Sequence, residues 1–487
     1  MKIKKSVTCC LIIFGAKGDL TRRKLLPALY NLEKIGQLNK NFRIISVGRA
    51  SWNNQDYLKI VKKSLVNFLN SEIDINIWKK LKIRFNFCNL DVNKIYDFVN
   101  LKTFLTNSDE LIINYFATPS SLFESICRGL AYISLNSDNS KIVIEKPIGN
   151  SLITSKLINN NIGKYFKEHQ IFRIDHYLGK ETILNLLSLR FANSIFCNIW
   201  NKNYIDNIQI TLSEEVGIEG RWNYFNQTGQ IRDMIQNHLL QILTIITMEN
   251  PNNLESNSIR NEKIKILKSL RFLNKKNINN NIILGQYGTG LLKGKKIPAY
   301  REEDVSISSS NIETFAAMKI FIDNESWKNV PFYIRTGKRL NKKYSKIVIV
   351  FKKSINHLNF DDFHHVINNK LIIHLEPNEG WDLEIFNKIP NIGSQYELKR
   401  CKLSLSYNHE FSNYNIIDAY TRLLSECIQD NQSLFVCRDE IEQSWKWIDT
   451  IINLCKEQNV PIHQYQPGSY GPIESKNLLL QDNRNWI

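Results

Sequence analysis

The chain has 487 residues, 43% hydrophobic and 23% charged, the balance of a soluble globular protein too long for one core and without an apolar run able to cross a bilayer. Nine cysteines, odd in number, scattered and without a C-x-x-C pair, argue against a disulfide framework and a zinc site, so a cytoplasmic location is expected. The formal net charge of +17 admits anionic ligands, yet the basic residues are spread through the chain with no recognition motif, which argues against nucleic acid as the partner.

The start of the chain mimics a secretion signal, but the apolar run ends in Gly15-Ala-Lys-Gly-Asp-Leu20 rather than at a small-residue cleavage site. A buried parallel strand is expected over residues 7–14, then a helix over 21–33 and a second strand over 42–47, which makes a βαβ unit with glycines in its first turn. Such glycines let a backbone approach a pyrophosphate at a helix N-terminus; the same residues also make a plain tight turn. Gly48-Arg49 follows the second strand. An acid there suits the ribose hydroxyls of NAD and a cation the 2'-phosphate of NADP, so Arg49 favours NADP. Strands over 84–90, 111–117 and 141–144 extend the sheet, and the last runs into Glu145-Lys146-Pro147, at the end where open α/β sheets bind ligands. A mixed helical stretch over 150–166 leads into Arg173-Ile-Asp-His-Tyr-Leu-Gly-Lys-Glu181. If 171–174 is extended, Asp175 and His176 face opposite sides by strand alternation and serve different sites. A helix over 181–192 then places Lys180 near free N–H groups that suit an anion; the competing reading is an ordinary strand-to-helix connection.

Beyond residue 200 the alternation of strands dominates, at 205–212, 315–322, 331–335, 347–351, 371–375, 381–386 and 402–407. The fold class expected is an α/β Rossmann-like dinucleotide-binding domain, 1–175, followed by a larger α+β domain with a mainly antiparallel sheet, 176–487. A helix over 232–247, with the apolar stripe Ile231, Ile235, Leu239, Ile242 and Ile246, is expected to cover part of that sheet, and another subunit the rest. A helical piece over 261–270 interrupts the Asn-rich stretch 249–281. His238 borders the stripe and is either a hydrogen-bonded structural residue or a base. No carboxylate lies three or four positions from it, so a base there needs a partner from elsewhere, and Asp175 is the candidate. Asp233 lies about 140° around a helix of period 3.6, in reach of the same pocket but badly placed to orient the imidazole.

Five stretches taken together carry a resemblance: Phe14-Gly-Ala-Lys-Gly-Asp-Leu-Thr-Arg-Arg-Lys24, Glu145-Lys-Pro147, Arg173-Ile-Asp-His-Tyr-Leu-Gly-Lys-Glu181, Arg232-Asp-Met-Ile-Gln-Asn-His238 and Arg335-Thr-Gly-Lys-Arg-Leu340. In that order, and with Glu214-Glu-Val-Gly-Ile-Glu-Gly-Arg-Trp222 between, the chain resembles the bacterial glucose-6-phosphate dehydrogenase family from about residue 8 nearly to its end. The resemblance implies oxidation of glucose 6-phosphate at C1 to 6-phosphogluconolactone with hydride transfer to NADP, no catalytic metal, and a homodimer or homotetramer. It implies His238 as general base and Asp175 as the group that orients it. His176, Tyr177 and Lys180 match the phosphate grip, Lys338 and Lys343 further substrate contacts, and Glu214 and Asp233 acceptors for sugar hydroxyls. Lys146 matches a residue touching both sugar and cofactor; Gly15, Ala16, Gly18, Asp19, Leu20, Lys24, Arg49, Leu90 and Asp91 match the cofactor side. Lys17, Ala50 and Ser120 depart from the commonest pattern; Ala50 leaves Arg49 as the one obvious cation for the 2'-phosphate. Competing readings are a basic nucleotide- or RNA-binding protein without turnover, and another Rossmann-type sugar oxidoreductase.

Overall fold

The computed structural model describes residues 8–69, 71–105, 110–353, 368–390, 392, 397–414 and 417–487. The chain divides into two compact units, one of 1–179, 251–261 and 417–442, the other of 180–250, 262–416 and 443–487.

The first unit is built on β1 (Cys9–Phe14), β2 (Arg43–Gly48), β3 (Phe85–Asn89), β4 (Leu111–Phe116), β5 (Ser140–Ile144) and β6 (Ile171–Arg173), all paired in parallel in the order β3-β2-β1-β4-β5-β6. Val7, expected to begin the first strand, lies outside the described residues. Every residue of β1 is buried, because the sheet has a core on each face. Leu11 and Ile13 pack into one with Leu25, Leu29, Val61 and Leu65, whereas Cys10, Ile12 and Phe14 pack into the other with Phe98, Ile126, Leu130 and Ile162. This explains why the strands read as unbroken apolar runs. The helix expected over 21–33 is a π-turn, Thr21–Leu25, that continues as the α-helix Leu26–Lys34. Ser151 and Thr154 form the cap that starts the helix Leu152–Gly163.

The boundary expected at 175/176 falls instead at Gly179, and two later segments join this unit. Leu423, Leu424, Cys427 and Phe435 enter the core that holds Leu25 and Leu29. The Phe435 ring meets Phe172 edge-on at 4.9 Å, and the Arg260 guanidinium donates to the Phe435 carbonyl. Apolar burial far along the chain overrides sequence order.

The second unit holds a nine-stranded sheet in the order β16-β15-β14-β13-β7-β12-β11-β8-β17. Its members are β7 (Ile205–Ser213), β8 (Ile282–Tyr287), β11 (Phe315–Ile320), β12 (Phe332–Gly337), β13 (Tyr344–Phe351), β14 (Lys370–Glu376), β15 (Gly380–Lys388), β16 (Leu398–Ser406) and β17 (Ile462–Tyr465); β9 (Gly290–Leu292) and β10 (Lys295–Ile297) form a separate hairpin. Neighbours are antiparallel except β7 with β12 and β8 with β17. Strands β8, β9, β10 and β17 are additions to the sequence reading; β9, β10 and β17 are short, and all four patterns lie close to loop glycines.

The helix expected over 232–247 is a π-helix, Ile231–Leu239, running into the α-helix Leu240–Thr247, whose eight residues are all buried. Its last carbonyls are capped from outside. Arg190 donates to Ile245 and Met248, Trp200 to Ile246 and Trp327 to Thr247, which satisfies acceptors that a helix end leaves orphaned.

Candidate active site

In the first unit the glycine turn stands where the strand order reverses, at the carboxyl ends of β1 and β4. Gly15 has φ +100, and a Cβ there would stand 2.4 Å from the Ala117 carbonyl oxygen, so only glycine fits. The amides of Gly15 and Ala16 donate to Val47, Gly18 donates to Gly15, and the Thr21 hydroxyl closes the turn onto the Gly15 carbonyl at 2.9 Å. Those three amides are thereby already engaged, and the anion-binding groups left to the turn are the first amides of the helix and the cations around it. Lys17 lies 5.8 Å over the Trp52 ring and Lys24 5.9 Å over Tyr420, while the exposed Asp19 pairs with Arg23 at 2.7 Å. Arg49 is exposed just beyond β2. Leu90 is buried and its amide donates to Gly48, next to that arginine. Asp91 accepts from the Asn93 amide at 3.1 Å and so shapes its own loop. A Cβ-free cradle with an exposed guanidinium at the end of β2 fits a dinucleotide carrying a 2'-phosphate.

Beyond β5, Glu145 accepts from the Tyr115 hydroxyl at 2.6 Å. Burial pushes the Glu145 carboxyl up to about 7; the Tyr115 and Tyr420 hydroxyls and Lys146 oppose the rise, and Asp175 adds to it. Lys146 is half-buried beside it.

The strand β6 stops at Arg173, so Asp175 and His176 sit in a turn and strand alternation does not set their directions. Asp175 is 3% exposed and its Oδ1 accepts from the Tyr177 amide at 3.0 Å, while its carbonyl accepts from Leu178. The His176 ring lies nearly parallel to Tyr420 at 6.2 Å and beside Tyr177 at 4.9 Å. Arg173, fully buried, donates to Glu168 and Asn159. A Cβ on Gly179 would come within 2.8 Å of the Ala419 carbonyl, which is why a glycine ends this turn.

In the second unit the expected substrate residues gather in two groups. Lys180, 7% exposed, is ion-paired with Glu376 Oε1, and the more exposed Lys343 meets Glu376 Oε2 at 3.2 Å. Burial depresses the Lys180 ammonium against the opposing pull of Glu376 and Glu379; burial would raise Glu376, but the two lysines hold its carboxyl below the ordinary range. Lys338 Nζ lies 2.7 Å from Glu214 Oε2, 3.8 Å from Asp233 Oδ2 and 5.4 Å over the Phe225 ring. His238, 1% exposed, shares the π-helix with Asp233. In a π-helix the i→i+5 bonds bring residues five apart toward one face, so the 140° separation expected for Asp233 and His238 does not apply. Sequence reasoning missed Glu376, Glu379 and the Gln230 side chain, which bonds Thr336 Oγ1 at 2.8 Å and reaches Glu214 Oε2 at 3.5 Å.

The strand order, the glycine turn and Arg49 define a dinucleotide-binding protein, and the lysine and carboxylate groups of the second unit suit a small phosphorylated, hydroxyl-rich molecule. The family models agree. The NAD binding domain of glucose-6-phosphate dehydrogenase matches residues 12–185, and its C-terminal domain matches 187–487. The chain is 53% identical over 488 residues to the glucose-6-phosphate 1-dehydrogenase of Buchnera aphidicola subsp. Schizaphis graminum, covering 100% of this chain and 99% of the relative. It is 49% identical to that of Dickeya dadantii, covering 98% and 97%. A solved glucose-6-phosphate dehydrogenase in complex with its substrate glucose-6-phosphate superposes with a TM-score of 0.91 at 31% identity over all of both chains. The Mycobacterium avium enzyme does so at 0.86 with 26% identity, covering 99% and 98%. The chain belongs to the glucose-6-phosphate dehydrogenase family, oxidoreductases that act on glucose 6-phosphate with NADP. Among the described residues no helix is long and apolar enough to cross a membrane.

Proposed function

We propose that His238 takes the C1 hydroxyl proton of glucose 6-phosphate as hydride leaves C1, with Asp175 orienting the imidazole and stabilising its cation, giving 6-phospho-D-glucono-1,5-lactone. The observation that carries this reading is the grouping of Lys338, Glu214 and Asp233, with His238 on the same π-helix as Asp233. A base 1% exposed works away from bulk water, which would otherwise compete for the proton. Asp175 is held by the Tyr177 amide, as suits an orienting carboxylate.

His176, Tyr177, Lys180 and Lys343 hold the phosphate. Glu376 neutralises both lysines in the free protein and yields to the phosphate when substrate arrives. Glu214 and Asp233 accept from sugar hydroxyls, with Lys338 fixing their directions. Lys146 stands between sugar and nucleotide. The nucleotide side is Gly15, Ala16, Gly18, Asp19, Leu20, Lys24, Arg49, Leu90 and Asp91; when bound there, NADP supplies the hydride acceptor. The first unit thus serves NADP, and the second serves the sugar and self-association as a homodimer or homotetramer. The reaction is the first step of the oxidative pentose phosphate pathway, in the cytoplasm.

The test is His238→Asn with glucose 6-phosphate against free glucose. The variant should lose about 10²- to 10⁴-fold in kcat with little change in KM, the range for removal of a general base. Near-normal kcat would sink the assignment.

A further inference from the structure

The π-helix that carries Asp233 and His238 does not simply continue the helix before it. Gly229, at φ 70 and ψ 172, breaks Trp222–Gln230 from Ile231–Leu239, so the chain enters the second helix afresh. A new helix start has backbone donors with no partner in the helix. Two of them are met by one residue from elsewhere in the unit. The Ile231 amide donates to Glu313 Oε1 at 3.0 Å, and the Gln230 amide donates to the Glu313 carbonyl at 3.1 Å. Glu313 is 7% exposed, and a Cβ on Gly229 would stand 2.5 Å from its Oε1. The break and the carboxylate therefore fit each other.

The residue after Glu313 faces Lys338, which directly follows β12. The Thr314 carbonyl accepts from the Lys338 amide at 3.0 Å, and the Thr314 amide donates to Gly285 at 2.8 Å. The Thr314 hydroxyl bonds the Tyr465 hydroxyl at 2.9 Å, and that phenol also donates to the Lys338 carbonyl at 2.7 Å. Two adjacent residues thus hold both the start of the helix bearing Asp233 and His238 and the backbone of Lys338.

From this we infer that Glu313 is a positioning residue for the dehydrogenase reaction: with Thr314 it ties the helix of the base to Lys338 at the end of β12 and sets the distance between proton acceptor and sugar. It touches neither substrate nor cofactor. A carboxylate suits the place because it also interacts favourably with the positive end of the helix dipole, but reach is what the role requires. A displacement of about 1 Å at a reacting centre can cost about 100-fold in rate, so a shorter side chain should be felt in turnover.

The inference rests on the reading of His238 and Lys338 given above, and its test separates from that one. Glu313→Asp keeps the charge and withdraws the carboxylate by one methylene; Glu313→Gln keeps the length and an acceptor oxygen. In the full-length protein Glu313→Asp should lower kcat about tenfold or more and raise KM for glucose 6-phosphate, with KM for NADP within about twofold of the parent. Glu313→Gln should stay within about threefold of the parent on all three. Parent-like kinetics in Glu313→Asp would overturn the inference while leaving His238 in place. So would Glu313→Gln as impaired as Glu313→Asp, or an equal loss in KM for NADP, since either means that charge or general stability is what matters. Normal turnover in His238→Asn would instead remove the reading beneath it.

Discussion

Replacing Glu145 by Gln should change how stability depends on pH, and by an amount the surroundings of that side chain set. Glu145 is packed between the Tyr115 and Tyr420 hydroxyls and faces Lys146 and Asp175. Burial and the neighbouring carboxylate beyond its phenol donors carry its carboxyl from 4.5 to about 7. Between those values the folded protein keeps a proton that the unfolded chain gives up. Stability therefore falls as pH rises from about 4.5 to about 7 and is level above that. The full difference corresponds to about 3 kcal/mol at most, reduced by the solvent that Glu145 still meets. Both phenols are pushed up by burial first and then by Glu145, so they remain donors across this range. Glutamine keeps the volume and the acceptor for Tyr115 but cannot ionise. Urea unfolding of the parent and of Glu145→Gln at intervals from pH 5 to pH 8 should give a difference that grows in favour of the variant, up to about 3 kcal/mol. The protonated-carboxyl infrared band lost in the variant should titrate in the parent with a midpoint near neutrality. A difference that does not vary with pH, or a band that titrates below pH 5, would refute the reasoning.

Two further substitutions address ligand contacts. Lys180→Ala should chiefly raise KM for glucose 6-phosphate, by about 10- to 100-fold for one charge-assisted contact, because Glu376 then pairs with Lys343 alone and one cation is lost to the phosphate. Unchanged KM in steady-state assays would remove Lys180 from the phosphate grip. Arg49→Ala should weaken NADP by about tenfold or more and NAD little, since the exposed guanidinium has only the 2'-phosphate to distinguish them. Equal losses in titrations with the two nucleotides would contradict that role.

The parts of the fold legible in the sequence were those whose burial is local in pattern. Strands covered on both faces, such as Cys9–Phe14 and Ser140–Ile144, are continuous apolar runs, and the half-covered Lys370–Glu376 alternates. What escaped depends on partners far along the chain. Nothing near Leu423 or Phe435 says that they pack with Leu29 and Phe172. Glu376 meets Lys180 only because β14 carries it to a lysine 196 positions earlier. Asp175 and His176 were expected to diverge as strand neighbours, whereas a turn held by the Asp175 carbonyl and Oδ1 orients them.

The helix that carries His238 shows why even a correctly placed element can mislead about its side chains. Its apolar stripe begins at Ile231, Ile235 and Leu239, with four-residue spacings that an α-helix and a wider helix tolerate equally, so the sequence does not announce the π geometry. Counting at 3.6 residues per turn sets Asp233 and His238 about 140° apart. The extra residue per turn brings them toward one side, where Asp233 also meets Lys338 at 3.8 Å. The wider turn starts where Gly229 interrupts the preceding helix and Glu313 receives the new first amide. An acid in a distant loop thus bears on whether Asp233 and His238 share one pocket, and no count along their own helix contains that information.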